Sequence, residues 1–205
     1  MVRSSLAMNK KIVIAAASVV TEADLASARL GQRFGRLDLQ SRLALLAVAA
    51  LKIDFATLPA DRIGICLAAS AGSLTTDFNF WNGRGGVGGP SPTQFAYTLP
   101  SAAVGEIAIH FGLTGPNLCF VGDDKNLLPE AADWIRSDKV GGCLCVFCEV
   151  VSSEIAKIIS APAAPTACAL FIRSAEAVQG LLELREFDRD MKALCALISQ
   201  TKSAG

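Results

Sequence analysis

The chain has 205 residues, of which 52% are hydrophobic, and its 19 basic residues balance its 19 acidic residues to a net charge of zero. This length suits one domain or one half of a larger two-part fold, and we treat residues 1–205 as a single domain. No basic patch is present, which argues against nucleic acid as a partner. The mean hydropathy of +0.43 predicts strands buried on both faces, or a large apolar surface covered by a partner.

The cysteines and the apolar runs indicate the compartment. The seven cysteines are an odd number and lie in apolar surroundings, and unpaired buried thiols are typical of a reducing compartment. The apolar run IVIAAASVV behind Lys10 and Lys11 is short, and it leads to Thr21 and Glu22 without a convincing signal-peptide cleavage site. No segment reaches the roughly 18 apolar residues of a membrane span. We therefore expect a soluble, cytoplasmic protein.

In chain order, apolar strands alternate with buried helices. The first part predicts a strand at Lys11–Val20, an irregular connection with a short helix over 21–37, a helix at Leu37–Leu51 capped by Asp38, a turn at 59–61 and a strand at Arg62–Ala69. The second part predicts a loop leading into a helix over 70–81, a flexible glycine loop over 83–92, a helix at Tyr97–Phe111, a strand at Asn117–Val121, a helix at Leu127–Ser137, a strand at Val140–Val151, a turn over 160–166, a strand at Ala167–Arg173, and a further strand and helix within 181–199. This alternation predicts an α/β layered fold around a largely parallel sheet.

The segment that follows the third predicted strand is the first place to look for chemistry. Its apolar run, 118–121, predicts a short buried strand, which leads through Gly122 into Asp123, Asp124, Lys125 and a helix. A strand that turns sharply into a helix N-terminus is a common position for a nucleophile, because free N–H groups and the helix dipole stabilise an anion there. The two aspartates are consistent with an acid/base pair, but helix capping is the favoured interpretation.

Three other features have plain structural interpretations. The glycine-rich segment GRGGVGG has no strand directly before it and no helix directly after it, so it predicts a loop and not a phosphate-binding turn. The cluster CLCVFC lacks zinc-site spacing; on a strand, Cys143 and Cys145 share one face and Cys148 lies on the other, as core residues would. His110 is the only histidine, and we expect a helix-terminal or packing role for it. We expect no metal and no cofactor.

Several segments resemble a known family. The runs GRLDLQSRLALLAVAAL, DRIGICLAASAGSL and PSPTQFAYTLPSAAVGEIAIHFGLTGPNLCFVG look like the N-terminal half of a β-ketoacyl synthase of the thiolase superfamily. The match runs from about Arg36 to Gly122 and continues more weakly through GGCLCVFCEVV and TACALFIRSAEA. It covers most of this chain but only about half of a full synthase. The resemblance implies a thiolase-like half-fold, with α-β-α layers around a mostly parallel, five-stranded mixed sheet.

The resemblance also implies that the condensing chemistry is missing. Counted without gaps from Gly115, the family's nucleophilic cysteine falls on Asp124, and a carboxylate does not accept an acyl group as a thiolate does. Cys119 lies five residues earlier, inside the strand. The family's two catalytic histidines and its lysine belong to the C-terminal half, and His110 matches none of them. No residue is therefore assigned as catalytic, and Asp124 marks a degenerate nucleophile position.

Family members work as dimers, and the resemblance therefore implies a partner. Inactive members called chain-length factors bind an active ketosynthase, and this chain looks like a short one of the aryl-polyene type. The implied partner is a full-length ketosynthase in polyketide or fatty-acid-type synthesis, with an acyl carrier protein as a further candidate and a homodimer as the alternative for the isolated chain. The implied interface strand is Asn117, Leu118, Cys119, Phe120 and Val121, and Phe95 and Tyr97 are candidates for tunnel or interface contacts or for ordinary packing.

Two other classes of function remain open. The chain is compatible with a divergent acyltransferase or hydrolase that uses Asp124, Cys119 or His110. It is also compatible with a stand-alone module that binds an acyl chain or an acyl carrier protein.

Overall fold

In the part of the chain that the structure describes, six strands form one central sheet. The computed structural model describes residues 10–122, 124–159, 165–180, 182–184, 190–191 and 193–194. Period-two alternation of apolar residues places one set of strand side chains on each face of the sheet. The strands are β1 (Ile12–Thr21), β2 (Ile63–Ala69), β3 (Asn117–Val121), β4 (Gly142–Glu149), β5 (Thr166–Ser174) and β6 (Leu182–Leu184).

The strand order is β3-β2-β4-β5-β1-β6. Strand β2 pairs in parallel with both β3 and β4, whereas β5 pairs antiparallel with β4 and with β1, and β6 pairs antiparallel with β1. The predicted mixed sheet is therefore confirmed, but the predicted count of five strands and the mostly parallel pairing are wrong. Strands β1 to β4 point the same way, yet β5 lies between β4 and β1 and makes both of its pairings antiparallel.

Helices cover both faces of this sheet, which confirms the predicted α/β layers. Helices α1 and α4 pack on one face and α5 packs on the other. The α-helices are α1 (Leu39–Ala50), α2 (Leu74–Gly83), α3 (Pro92–Phe95), α4 (Ala102–Phe111), α5 (Leu127–Arg136) and α6 (Ser153–Ile159). Short 3-10 turns at Glu22–Ala26 and Phe34–Arg36 form the irregular connection that was predicted after β1.

One predicted helix starts later than expected, and one helix was missed. The helix predicted from Tyr97 begins only at Ala102, because Pro100 disfavours helical backbone at the residue before it. Helix α6 was not predicted from the sequence.

The Asp38 cap on α1 is confirmed, since its Oδ1 accepts a hydrogen bond from the Ser41 N–H at 2.9 Å. Residues 160–164 of the predicted turn and much of the predicted tail helix lie outside the described residues, and Thr166, the last residue of that predicted turn, already belongs to β5.

The cysteines of β4 follow the predicted alternation. Cys148 packs into the core under α1 and α4, while Cys143 and Cys145 pack into the core under α5. Cys66, Cys119, Cys143, Cys145 and Cys148 are free thiols, as expected. The expectation of unpaired cysteines is wrong at Cys168 on β5, which is disulfide-bonded.

Within the described part of the chain, no helix has the length and apolar character that a membrane crossing requires.

Candidate functional site

Strand β3, the predicted interface strand, forms one edge of the sheet. Asn117, Leu118 and Val121 are exposed, with 38% of Leu118 and 59% of Val121 open to solvent. Cys119 and Phe120 are partly buried and pack against the cores on opposite faces of the sheet. The prediction of a buried strand is therefore wrong, and β3 has a neighbouring strand on one side only.

A glycine allows β3 to lie close to β2. A Cβ atom at Gly115 would lie 2.1 Å from the carbonyl oxygen of Ile63, so only glycine fits there without displacing the main chain. Hydrogen bonds hold both sides of this contact: Thr114 N–H donates to the Ala60 carbonyl at 3.0 Å, and Ile65 N–H donates to the Pro116 carbonyl at 3.0 Å. The TGPN sequence thus sets the position of the edge strand.

The turn after β3 carries the degenerate nucleophile position. Gly122 has φ +97°, a conformation that favours glycine, and its N–H donates to the Ala69 carbonyl at 3.3 Å. Asp124 is partly buried, and its main-chain carbonyl accepts a hydrogen bond from Leu127 N–H at 3.0 Å. The N-cap of α5 is Asn126, which makes no side-chain capping bond, so the prediction of an aspartate at the cap position is wrong. Asp123 lies outside the described residues.

The thiol nearest to this turn in sequence is not activated. Burial raises the pKa of Cys119, which favours the neutral thiol over the nucleophilic thiolate. Burial likewise raises the pKa values of Cys143, Cys145 and Cys148. The pKa of Cys66 is raised first by its hydrogen bond with Cys143, whose Sγ lies 3.9 Å from its own, and then by burial. Among the described residues, therefore, no free thiol has the lowered pKa of a catalytic cysteine.

His110 lies in the last turn of α4, where it is exposed, and its ring centroid is 4.7 Å from that of Phe111. This placement agrees with the predicted helix-terminal role. Among the described residues, no group of three or more histidine, cysteine, aspartate or glutamate side chains is arranged to hold a metal ion.

Phe95 and Tyr97, the candidate tunnel or interface residues, have different surroundings. Phe95 is 61% exposed and its ring centroid lies 5.5 Å from that of Phe80 on α2. Tyr97 packs against the core under α1 and α4, and its hydroxyl donates to Glu106 Oε1 at 3.2 Å. Burial, and then the neighbouring Glu106 carboxylate, raise the pKa of Tyr97. The geometry leaves Phe95 available for contact and commits Tyr97 to internal packing.

The segment from α3 to α4, which contains these two aromatic residues, reaches the β3 edge. A Cβ atom at Gly72 would lie 3.1 Å from Val121 Cγ1 and 3.3 Å from Pro100 Cγ, so the ends of β2, β3 and this segment meet there. Leu99, next to Pro100, is 63% exposed. Leu99, Leu118 and Val121 are thus exposed apolar residues near this edge. Leu99 could not be singled out from the sequence, because an isolated leucine in a loop carries no signal of exposure.

A carboxylate that the sequence did not single out lies at the carboxyl end of β4. Glu149 Oε1 accepts the Ala71 N–H at 3.2 Å and holds the loop after β2 next to the end of β4. The carboxyl ends of parallel strands are the usual location of ligand sites in α/β sheets. This contact uses the carboxylate for loop positioning.

The comparisons with known proteins relate this geometry to solved structures. No family model matches the sequence, and no curated protein matches it. Solved structures do match. "The ishigamide ketosynthase/chain length factor" superposes with a TM-score of 0.65 at 19% identity, over 83% of this chain and 64% of that one. A β-ketoacyl synthase from Burkholderia phymatum superposes with a TM-score of 0.62 at 14% identity, over 82% and 60% of the two chains.

A third matched structure is covered over a larger share of its chain than the first two. It is the ketosynthase ApeO in complex with its chain length factor ApeC from Xenorhabdus doucetiae, with a TM-score of 0.61 at 17% identity. The match covers 80% of this chain and 79% of that one, so the two chains are similar in length. By contrast, this chain spans less than two thirds of the other two matched chains.

These superpositions show that the protein has the thiolase-type fold of ketosynthases and chain length factors. The fold expected from the sequence resemblance is therefore confirmed.

Proposed function

We propose that this chain is a non-catalytic, ketosynthase-like subunit of the chain-length-factor type. It pairs through β3 with an active, full-length ketosynthase in polyketide or fatty-acid-type biosynthesis, of the aryl-polyene kind. An acyl carrier protein is the further partner of the assembled pair. The cytoplasm is the proposed compartment, because five of the six described cysteines are free thiols and Cys168 alone among them is disulfide-bonded.

The observation that carries this proposal is the edge position of β3. The strand order begins at β3, so among the described residues no strand pairs with its outer side. An open strand edge offers free main-chain donors and acceptors to another chain. Leu99, Leu118 and Val121 add exposed apolar side chains beside it. Exposed apolar surface next to an unpaired edge is typical of a surface that a partner covers.

The chemistry of the turn supports a partner role without catalysis. Gapless alignment with the family motif places a carboxylate, Asp124, at the nucleophile position, and burial raises the pKa of Cys119. Thioester chemistry requires a thiolate or another activated nucleophile at that position. Two matched structures are described as containing a chain length factor, and one of them matches through a chain of similar length.

The first experiment is capture of the tagged chain from its host, with the intact mass of the recovered complex measured. The expected result is a one-to-one complex with a full-length ketosynthase. Recovery of the chain alone, or as a homodimer, would contradict the proposal.

The second experiment compares variants at opposite edges of the sheet. Leu118→Glu places a charge on β3, and Leu182→Glu places the same charge on β6, where Leu182 is 46% exposed. We expect Leu118→Glu to weaken ketosynthase binding at least about ten-fold, since a charge is costly in the centre of an apolar interface. Leu182→Glu serves as the control and should bind like the unmodified chain. Equal binding by both variants would refute β3 as the interface.

The enzyme alternative is tested on the pure chain. Incubation with acyl thioesters should give no covalent mass increase and no hydrolysis. Acylation that disappears in Asp124→Asn or Cys119→Ser would replace the proposed role with acyl transfer. Acyl-ligand binding in the absence of any ketosynthase would support a stand-alone binding module instead.

A further inference from the structure

A polar cleft lies between the N-terminal end of α1 and helices α2 and α3. Its volume is about 440 Å³, which falls within the range of small-molecule pockets. The side chains that matter for its chemistry are Arg36, Asp38, Arg42, Asn79, Thr93 and Gln94, which all line it.

The two arginines of the cleft lack partners among the described residues. There, neither Arg36 nor Arg42 forms an ion pair or a side-chain hydrogen bond, and Arg42 Nε is shielded from solvent without an acceptor. A buried N–H without an acceptor is unfavourable, so such a donor indicates a missing ligand or solvent partner.

The carboxylate of the cleft does not serve these arginines. Asp38 Oδ1 accepts the Ser41 N–H at 2.9 Å, and Asp38 Oδ2 accepts the Thr76 hydroxyl at 3.0 Å. Both oxygens of Asp38 are therefore engaged by groups of the fold itself. The cleft thus presents two guanidinium groups and one carboxylate that is already hydrogen-bonded, together with the amide and hydroxyl groups of Asn79, Thr93 and Gln94.

We propose that this cleft binds a phosphorylated small molecule, with the phosphate group held by Arg36 and Arg42. The planar guanidinium fork matches phosphate oxygens, and the two guanidinium groups outnumber the single carboxylate of the cleft, so the net charge there favours an anion. Asn79, Thr93 and Gln94 supply hydrogen-bonding groups for a hydrophilic remainder of the ligand. The cleft volume leaves room for more than the phosphate group alone. This inference does not depend on the proposed partner role.

The test is calorimetric titration of the full chain with inorganic pyrophosphate and with glycerol 3-phosphate, at constant ionic strength. The expected result is saturable one-to-one binding, weakened about ten-fold or more in Arg42→Gln and in Arg36→Gln. The matched control is Arg29→Gln, which removes an exposed arginine outside the cleft and should leave binding unchanged.

Three results would overturn the proposal. One is the absence of saturable binding with both probes. Another is equal weakening by Arg29→Gln, which would indicate general charge attraction. The third is binding of succinate as tightly as of pyrophosphate, which would contradict selectivity for phosphate. Because Arg36 is exposed, Arg36→Gln keeps the test decisive if Arg42→Gln fails to fold.

Discussion

Replacing Gly115 with alanine should displace the edge strand. The new Cβ would lie 2.1 Å from the Ile63 carbonyl oxygen and 3.0 Å from the Asp61 carbonyl oxygen, and both are main-chain atoms that no rotamer change can move. Relief requires a main-chain shift of about 1 Å. Overpacking of this kind costs about 2–3 kcal/mol. The shift also strains the two main-chain hydrogen bonds that flank the glycine, each worth about 1 kcal/mol.

The free energy of unfolding should therefore fall by about 4–5 kcal/mol, which for a chain of this size lowers the melting temperature by roughly 10–15 °C. Urea unfolding followed by circular dichroism, together with a thermal scan, measures both quantities. The control is Gly105→Ala within α4, where an added Cβ meets no atom within 4 Å and helix propensity should add about 0.5–1 kcal/mol. A melting temperature for Gly115→Ala within about 2 °C of the unmodified chain would refute the argument from close approach.

Three further predictions concern side chains of the site and its supports. Asp38→Ala should lower the free energy of unfolding by about 1–2 kcal/mol in urea titrations, because the Ser41 N–H loses its capping acceptor. An unchanged urea midpoint of unfolding would contradict the capping role of Asp38. Cys119 should react with iodoacetamide more slowly in the folded chain than in urea, at neutral and at mildly alkaline pH. Burial raises the pKa of Cys119 and therefore lowers the fraction of thiolate in the folded chain. Mass spectrometry measures the alkylation, and faster alkylation of the folded chain would indicate an activated thiol. Tyr97→Phe should cost about 1 kcal/mol of stability through loss of the bond to Glu106, without weakening ketosynthase binding; a selective loss of binding would instead place this hydroxyl in the interface.

The sequence predicts the elements of the fold better than their arrangement. Strand β2 begins one residue from its predicted start, and α1 carries its predicted cap, because apolar runs and capping residues are local signals. The antiparallel direction of β5 depends on the path of the chain between β4 and β5, and no local sequence pattern predicts that path. The late start of α4 does have a local cause, in Pro100, which outweighed the apolar periodicity before it.

In the candidate site, too, the sequence predicts local positions better than tertiary surroundings. The resemblance placed Asp124 in the turn after β3, and the structure places it there, half-buried. The exposure of Val121 was not readable from its apolar neighbours, since only the strand order puts β3 at an edge. The cleft between Arg36 and Arg42 depends on where α2 and α3 pack against α1, which is a property of tertiary structure.

The position of β5 between β4 and β1 has a consequence for synthesis on the ribosome. Among the described strands, β1 is made before the others, but on one side it pairs with β5 and on the other with β6, which are made after β2, β3 and β4. Until then β1 has no neighbour in the sheet, while β2, β3 and β4 already pair with one another. Pairings between distant parts of a chain form slowly, because closing the long intervening loop costs entropy. Strand β3 can therefore pair with β2 while β1 is still exposed. A chaperone that shields β1 would protect the protein during this interval.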